Sequence, residues 1–321
     1  ILSRNGFLFN FSATFTDPRD YITCVFNFNL SKFIEEGYGK HIYISNQMVS
    51  AFRDKTDFSL QEKQKIILQT LLLLTYTNKF LDKIKSKGNF YHKPLMLTLV
   101  NSVNTEDSDL LLFFKELEKV AKNKIGSELI EEAKQDILTQ ITDNCELEFE
   151  ENVYFKLEKN LLLSIKYKDI LKYVFNSNSP GAIEVLIVPG NRKELIFKLK
   201  TTDKPFALIK IGDISEWLKN KLNGYEIIEK FENESVFSNI NKDDSDINIL
   251  MGSRAFYEGW DSNRPNIILF INIGVGIDAK KFVLQSVGRG VRIEPVKDKR
   301  RRLLNLYNLK EVQEELFNKI K

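Results

Sequence analysis

The chain has 321 residues, 43% hydrophobic and 28% charged, with a formal net charge of +3. That composition belongs to a globular protein of one large or two ordinary domains, and so mild a positive balance does not by itself imply nucleic acid. Cys24 and Cys145 are too few and too far apart for a disulfide framework or a zinc site, His41 and His92 form no His-x-x-x-His pair, and no apolar run is long enough to span a membrane.

Taken in order, Gly6–Phe11 predicts a buried strand running into the turn Ser12-Ala13-Thr14, and Asp17-Pro18 ends it. Alternation of Ile22, Cys24, Phe26, Phe28 and Leu30 predicts a half-buried strand over Tyr21–Leu30, and His41–Ser45 a short extended piece. Apolar positions at helical spacing predict one long amphipathic helix over Leu60–Lys85, closed by Gly88-Asn89. Leu95–Val100 is a fully apolar strand, followed by Asn101, Ser102 and Asn104 and a helix over Asp107–Asn123. The charged stretch 126–175 reads as an inserted helical unit that ends at Pro180-Gly181. It could dock a partner subunit or buttress the sheet.

Ile183–Val188 and Leu195–Leu199 flank Pro189-Gly190-Asn191 as a hairpin. A βα rhythm follows. Phe206–Ile211 is a strand, Asp213-Ile-Ser-Glu216 has capping-box form for a helix through Leu222, and Gly224 stands at its C′ position. Ile247–Met251 and Asn266–Asn272 are strands, and a helix from Asp278 carries Arg289 and Arg292. A basic run, Lys297–Arg302, precedes a last helix. Short apolar strands alternating with helices predict an α/β fold with a parallel sheet, whose ligands bind beyond the carboxyl ends of the strands. Thr98–Asn104, Gly252–Asp261 and Gly274–Asp278 fall at such ends.

Alone, two arginines three apart are a solvated helix end. Here they have ordered companions. Ser12-Ala13-Thr14 comes first, then an apolar strand ending in Thr, Asn and Ser, then the Gly252–Asp261 loop, then Gln285-Ser-Val-Gly288-Arg289-Gly-Val-Arg292. The series resembles motifs III to VI of superfamily 2 helicases and translocases. The match is complete at Ser12-Ala13-Thr14 and at Gln285, Gly288, Arg289 and Arg292. In the loop it is partial, with Ser253 where threonine is usual and Phe256 where a small residue is usual, while Gly259 and Asp261 fit. Phe9–Asp17, Gly252–Asn266 and Gln285–Pro295 further resemble the restriction (Res) subunit of type III restriction–modification systems. That likeness touches most of the chain and is weak over 105–180.

The resemblance implies a RecA-like parallel sheet, the second motor domain, with a helical insertion. Residues 1–20 would end the first RecA-like domain, 21–90 would form linker strands and the long helix, 91–295 the second domain with its insert at about 126–175, and 296–321 a basic run and C-terminal helix. It implies ATP and Mg²⁺ as cofactors, double-stranded DNA and a modification (methyltransferase) subunit as partners, a cytoplasmic location, and a parent enzyme that is an ATP-hydrolysing site-specific endonuclease. Arg289, Arg292 and Gln285 would be catalytic, meeting the γ-phosphate and the charge of the transition state. Gly259, Asp261 and Gly288 would border the nucleotide. Ser12, Ala13 and Thr14 would couple hydrolysis to domain movement. Thr98, Asn101, Ser102 and Ser253 would face the DNA backbone.

No Gly-x-x-x-x-Gly-Lys-Ser/Thr and no Asp-Glu pair occurs in the chain. The expectation is therefore a piece that starts near the end of the first motor domain and does not hydrolyse ATP alone, with no metal ligands of its own. The one Glu-x-Lys, Glu132-Ala-Lys134, reads as a solvated helix face rather than a nuclease motif. The basic run 297–302 is a solvated surface or a contact for DNA phosphates, and most aromatics read as core. Two other readings stand beside the first. One is a different superfamily 2 DNA or RNA helicase. The other is a nucleic-acid or partner binding module without hydrolytic role.

Overall fold

The computed structural model describes residues 19, 22, 24, 26–45, 60–88, 90–100, 109–141, 145–230, 233–252, 260–273 and 276–320. Its centre is a seven-stranded sheet in the order β5-β2-β3-β4-β6-β1-β7. The strands are β1 (Leu95–Val100), β2 (Ile183–Ile187), β3 (Glu194–Leu199), β4 (Pro205–Lys210), β5 (Glu226–Glu229), β6 (Ile249–Gly252) and β7 (Pro265–Ile271). The pairs β4–β6, β6–β1, β1–β7 and β2–β5 are parallel. Only β3 runs against its neighbours, antiparallel to β2 and β4. The expected hairpin causes this: Gly190 takes φ +72°, a turn conformation cheap only for glycine, and sends β3 back along β2. The fold is thus α/β with a mostly parallel, mixed sheet rather than a wholly parallel one.

The helices are α1 (Leu30–Glu35), α2 (Leu60–Lys85), α3 (Asp109–Ala121), α4 (Ser127–Gln140), α5 (Lys159–Leu163), α6 (Tyr167–Phe175), α7 (Ile277–Gly290), α8 (Leu303–Asn308) and α9 (Glu314–Ile320). A π-helical turn spans Trp217–Lys221. Strand alternation divides the core between two faces. Met96, Val100, Ile249, Met251, Leu269 and Ile271 face the larger cluster, where α2 to α6 pack. Leu95, Leu97, Leu99, Leu208 and Leu250 face the smaller one, closed by Ala279 and Phe282 of α7. Each fully buried aliphatic side chain contributes about 1.5–3 kcal/mol, so both faces must be covered. The insert supplies Leu129, Ile130, Ile137, Leu162, Ile170 and Val174 to the larger cluster, so it buttresses the sheet. A third cluster packs α8 and α9 through Leu303, Leu306 and Phe317 onto Phe90.

Two expectations are corrected. The described part of Tyr21–Leu30 contains no strand; Asn29 instead caps α1, its side chain accepting from the Lys32 amide at 3.0 Å. His41–Ser45, expected as a short extended piece, makes one isolated bridge, Ile42 to Glu148. Lys134 is buried, not solvated, and pairs with Glu131 at 2.7 Å on α4. The edge strand β5 was not expected: Glu226 and Glu229 flank only two apolar residues, a short charged edge that resists further pairing.

The amino ends of the central strands are fastened by one buried side chain. Arg264, 2% exposed, donates from Nε to the Lys93 carbonyl (2.9 Å), from Nη2 to that of Ile247 (2.6 Å), and from Nη1 to that of Ile240. Lys93 precedes β1, Ile240 and Ile247 precede β6, and Arg264 itself precedes β7. Burial pushes the guanidinium down to about 10, against the opposing charge of Asp243. Arg264→Met strands three carbonyls, each costing about 1–3 kcal/mol when buried without a donor. Arg264→Lys lacks the planar fork that spans them. Urea denaturation should show both variants destabilised by about 3 kcal/mol or more; a lysine variant as stable as the parent would contradict this account.

Candidate functional site at the arginine helix

Helix α7 follows β7 and runs back along it. Its last residue, Gly290, lies against the start of β7: an added Cβ would sit 2.7 Å from Ile268 Cδ1 and 3.9 Å from Pro265 Cβ. Arg289 and Arg292 are therefore at the amino-terminal edge of the sheet, opposite the carboxyl edge where ligand stretches were expected. Arg292 is not on the helix. The helix ends at Gly290, Val291 caps it, and Arg292 forms an antiparallel bridge with Gly39.

The two guanidiniums nevertheless converge on consecutive residues. Arg289 Nη1 donates to the Trp260 carbonyl at 3.1 Å, and Arg292 pairs with the Asp261 carboxylate. Burial, then the nearby charge of Arg300, lower the pKa of Arg292. The Arg292 and Asp261 side chains keep 40% and 59% of their surface exposed, so the pair orients the arginine more than it stabilises the fold. Gln285 stands one turn before Arg289 and is half-buried. A Cβ at Gly288 would meet nothing within 4 Å. A mid-helix glycine costs about 0.5–1 kcal/mol relative to alanine, and this chain's own packing gives no reason for one there.

Lys40 locks the back of this site. Its ammonium donates to the carbonyls of Asn263 (2.9 Å), Pro265 (2.6 Å) and Gly290 (3.1 Å), and its amide donates to that of Val291 (2.6 Å). Those acceptors include the free carbonyl at the end of α7, where a cation also suits the helix dipole. Neither Lys40 nor Arg264 is marked as a site by the sequence; the nearest signal is the chain's one Gly-Lys pair, Gly39-Lys40, which no phosphate loop surrounds.

Of the other expected residues, Thr98 is placed by the structure where it cannot meet DNA. It is fully buried in β1 on the face of Met96 and Val100, and its hydroxyl has no hydrogen-bond partner among the described residues. Its position in mid-strand, with partners on both sides, overrides the polarity of its side chain. Ser12, Ala13, Thr14, Asn101, Ser102, Ser253 and Gly259 lie outside the described residues. In the basic run, Lys299 pairs with Glu311 at 3.2 Å, Arg302 with Glu150 at 2.6 Å, and Arg301 lies over the Tyr38 ring, while Lys297 and Arg300 are exposed. Among the described residues, no group of three or more histidine, cysteine or acidic side chains could hold a metal ion, and no helix is long and apolar enough to cross a membrane. No family model, curated protein or solved structure matches the chain.

The lock at Lys40 has a pH signature. The three carbonyls favour the ammonium and burial opposes it; burial is larger and pushes the group from 10.5 down to about 7. Between those values the unfolded chain binds a proton that the folded chain has lost, so stability rises with pH across the window. The difference in unfolding free energy between the parent and Lys40→Met should therefore widen from pH 7 to about pH 9.5. Urea titrations at the two pH values measure it, and a constant difference would refute the assignment.

Proposed function

We propose that this chain is the second motor domain of an ATP-driven DNA translocase of superfamily 2, most like the restriction subunit of type III restriction enzymes. On this reading it works in the cytoplasm, on double-stranded DNA, beside a modification methyltransferase subunit. The observation that carries the proposal is the arginine pair: Arg289 and Arg292 are drawn together by Trp260 and Asp261, beside a helix surface left open at Gly288. Two half-exposed guanidiniums on a rigid edge suit the spread negative charge of a triphosphate.

The arrangement fits a phosphate chain presented from outside this chain. ATP held there would supply a phosphoryl group whose charge the protein must neutralise as it is transferred. Arg289 and Arg292 bind and neutralise the anionic oxygens. The Trp260 carbonyl fixes the direction of Arg289, and Asp261 that of Arg292. Gly288 gives a facing domain room to approach the helix backbone, and Gln285 lies one turn away as an orienting partner. The described residues offer no comparable fit for Mg²⁺, so the reading assigns it no ligand here.

In the motor assembled with its first RecA-like domain, Arg289→Ala or Arg292→Ala should each cut ATP turnover by about 10³-fold or more while leaving duplex binding largely intact. Unchanged turnover in both would sink the motor reading and leave a binding module. Gly288→Ala separates site from scaffold. It should raise the stability of the chain by about 0.5–1 kcal/mol, since nothing blocks the new methyl, and slow turnover in the assembled motor. Calorimetry and a coupled ATPase assay read the two effects; a variant with normal turnover would remove Gly288 from the site.

A further inference from the structure

Five side chains at the entrance to α1 form a cluster unlike the aromatics of the core. Phe26 is 77% exposed and Phe28 43% exposed. Their rings are stacked, parallel within 5° with centroids 6.3 Å apart. Phe28 meets Phe33 and Tyr38 edge-on, at 6.3 and 6.1 Å. Phe33 stacks on Tyr38 at 5.8 Å. The guanidinium of Arg301 lies 4.0 Å from the centre of the Tyr38 ring and donates to its hydroxyl. Phe33, Tyr38 and Arg301 thus brace the two outer rings from behind. Phe26 and Phe28 keep the same-side placement of alternating residues, no strand pairs with them among the described residues, and Phe26 is left mostly to solvent.

Positive charge adjoins these rings. Tyr38 immediately precedes Gly39, which bridges to Arg292, and Arg292 feels the charge of exposed Arg300. Glu35 and Glu36 are also exposed on α1, with Glu35 accepting from Ser31 at 2.8 Å; a phosphate chain would therefore pass on the side of Arg300 and Arg301. Braced aromatic faces open to solvent beside cations are the recognition chemistry of unpaired bases. A base inside a duplex has both faces covered already, and an open surface does not enclose a free nucleotide.

We propose that Phe26 and Phe28 form a stacking platform for the bases of single-stranded nucleic acid, with Arg300 meeting its phosphates. The site is separate from the arginine pair and does not depend on the motor reading; it is read without ATP, whereas that reading is read by ATP turnover. The test is fluorescence anisotropy of the full 321-residue chain with a labelled oligothymidylate and an abasic oligomer of equal length. The oligothymidylate should bind about tenfold or more tightly than the abasic strand. Phe26→Ala and Phe28→Ala should erase that difference, and Phe26 is exposed enough that its loss spares the fold. Arg300→Ala should weaken both strands alike. Equal binding of the two strands, a preference that survives both phenylalanine variants, or no binding at all would overturn the platform. So would competition by AMP at concentrations equal to those of the oligomer's bases, which would make it a free-nucleotide site.

Discussion

The structure depends on how the amino ends of its parallel strands are held. Parallel neighbours are joined by long crossovers, so no tight turn sets their register. Here polar side chains set it. Arg264 collects carbonyls from the segments before β1 and β6 while standing at the start of β7. Asn176, in left-handed conformation at the end of α6, reaches the carbonyls of Pro205 (2.7 Å) and Asp246 (2.8 Å), and Asn248 reaches Val174 (3.0 Å) and Asn176 (2.9 Å). Between them, one guanidinium and two amides tie β1, β4, β6 and β7 to one another and to the helical layer. A slip by one residue would exchange the two core faces of β1 and pull the Lys93 carbonyl away from Arg264.

The same edge carries the candidate site. Trp260 and Asp261, which orient the arginines, lie four and three residues before Arg264, so whatever fixes Arg264 fixes the buttress of Arg289 and Arg292. Lys40 adds a second fastening from the opposite direction, stitching the stretch before α2 to the end of α7 and the start of β7. Both cations, buried Arg264 and part-buried Lys40, are satisfied by main-chain carbonyls. Neutral acceptors compensate the positive charge only in part, so burial lowers the pKa of both groups, at Arg264 against the charge of Asp243. The arrangement spends stability on position, and position is what an anion-binding pair requires.

Much of this was legible in the residues and some was not. Helical spacing over Leu60–Lys85 and the apolar run Leu95–Val100 were read with the bounds the structure gives, because each pattern is long or pure enough to decide itself. Phe26 and Phe28 alternate as a strand does, but a strand also needs a neighbour, and residue spacing does not say whether one arrives. Thr98 misled for a related reason: its hydroxyl suggests a surface, while its place between Leu97 and Leu99 in a strand paired on both sides decides its burial. Lys134 looked solvated because a charged residue on a charged helix normally is; its stem is covered only once α5 brings the Leu163 carbonyl to 3.3 Å from its ammonium. Arg264 and Lys40 were invisible because their partners are carbonyls, which every residue carries and no sequence pattern marks.

The position of the arginine pair also separates the two ends of the sheet. Ligands of open α/β sheets gather beyond the carboxyl ends of strands, the end at which β1 and β6 finish at Val100 and Gly252. Helix α7 starts there, after β7, and by running antiparallel to the strand delivers its last turn to the other end. Its fourteen residues amount to about 21 Å of helix, roughly the length of β7 beside it. Helix length therefore sets which end of the sheet receives Arg289 and Arg292, and the bond from Arg289 to Trp260 marks where it stops. An insertion of one turn in α7 would preserve its apolar face yet carry both arginines past Trp260 and Asp261. The site is thus encoded less in the arginines themselves than in the match between one helix and the strand it packs against.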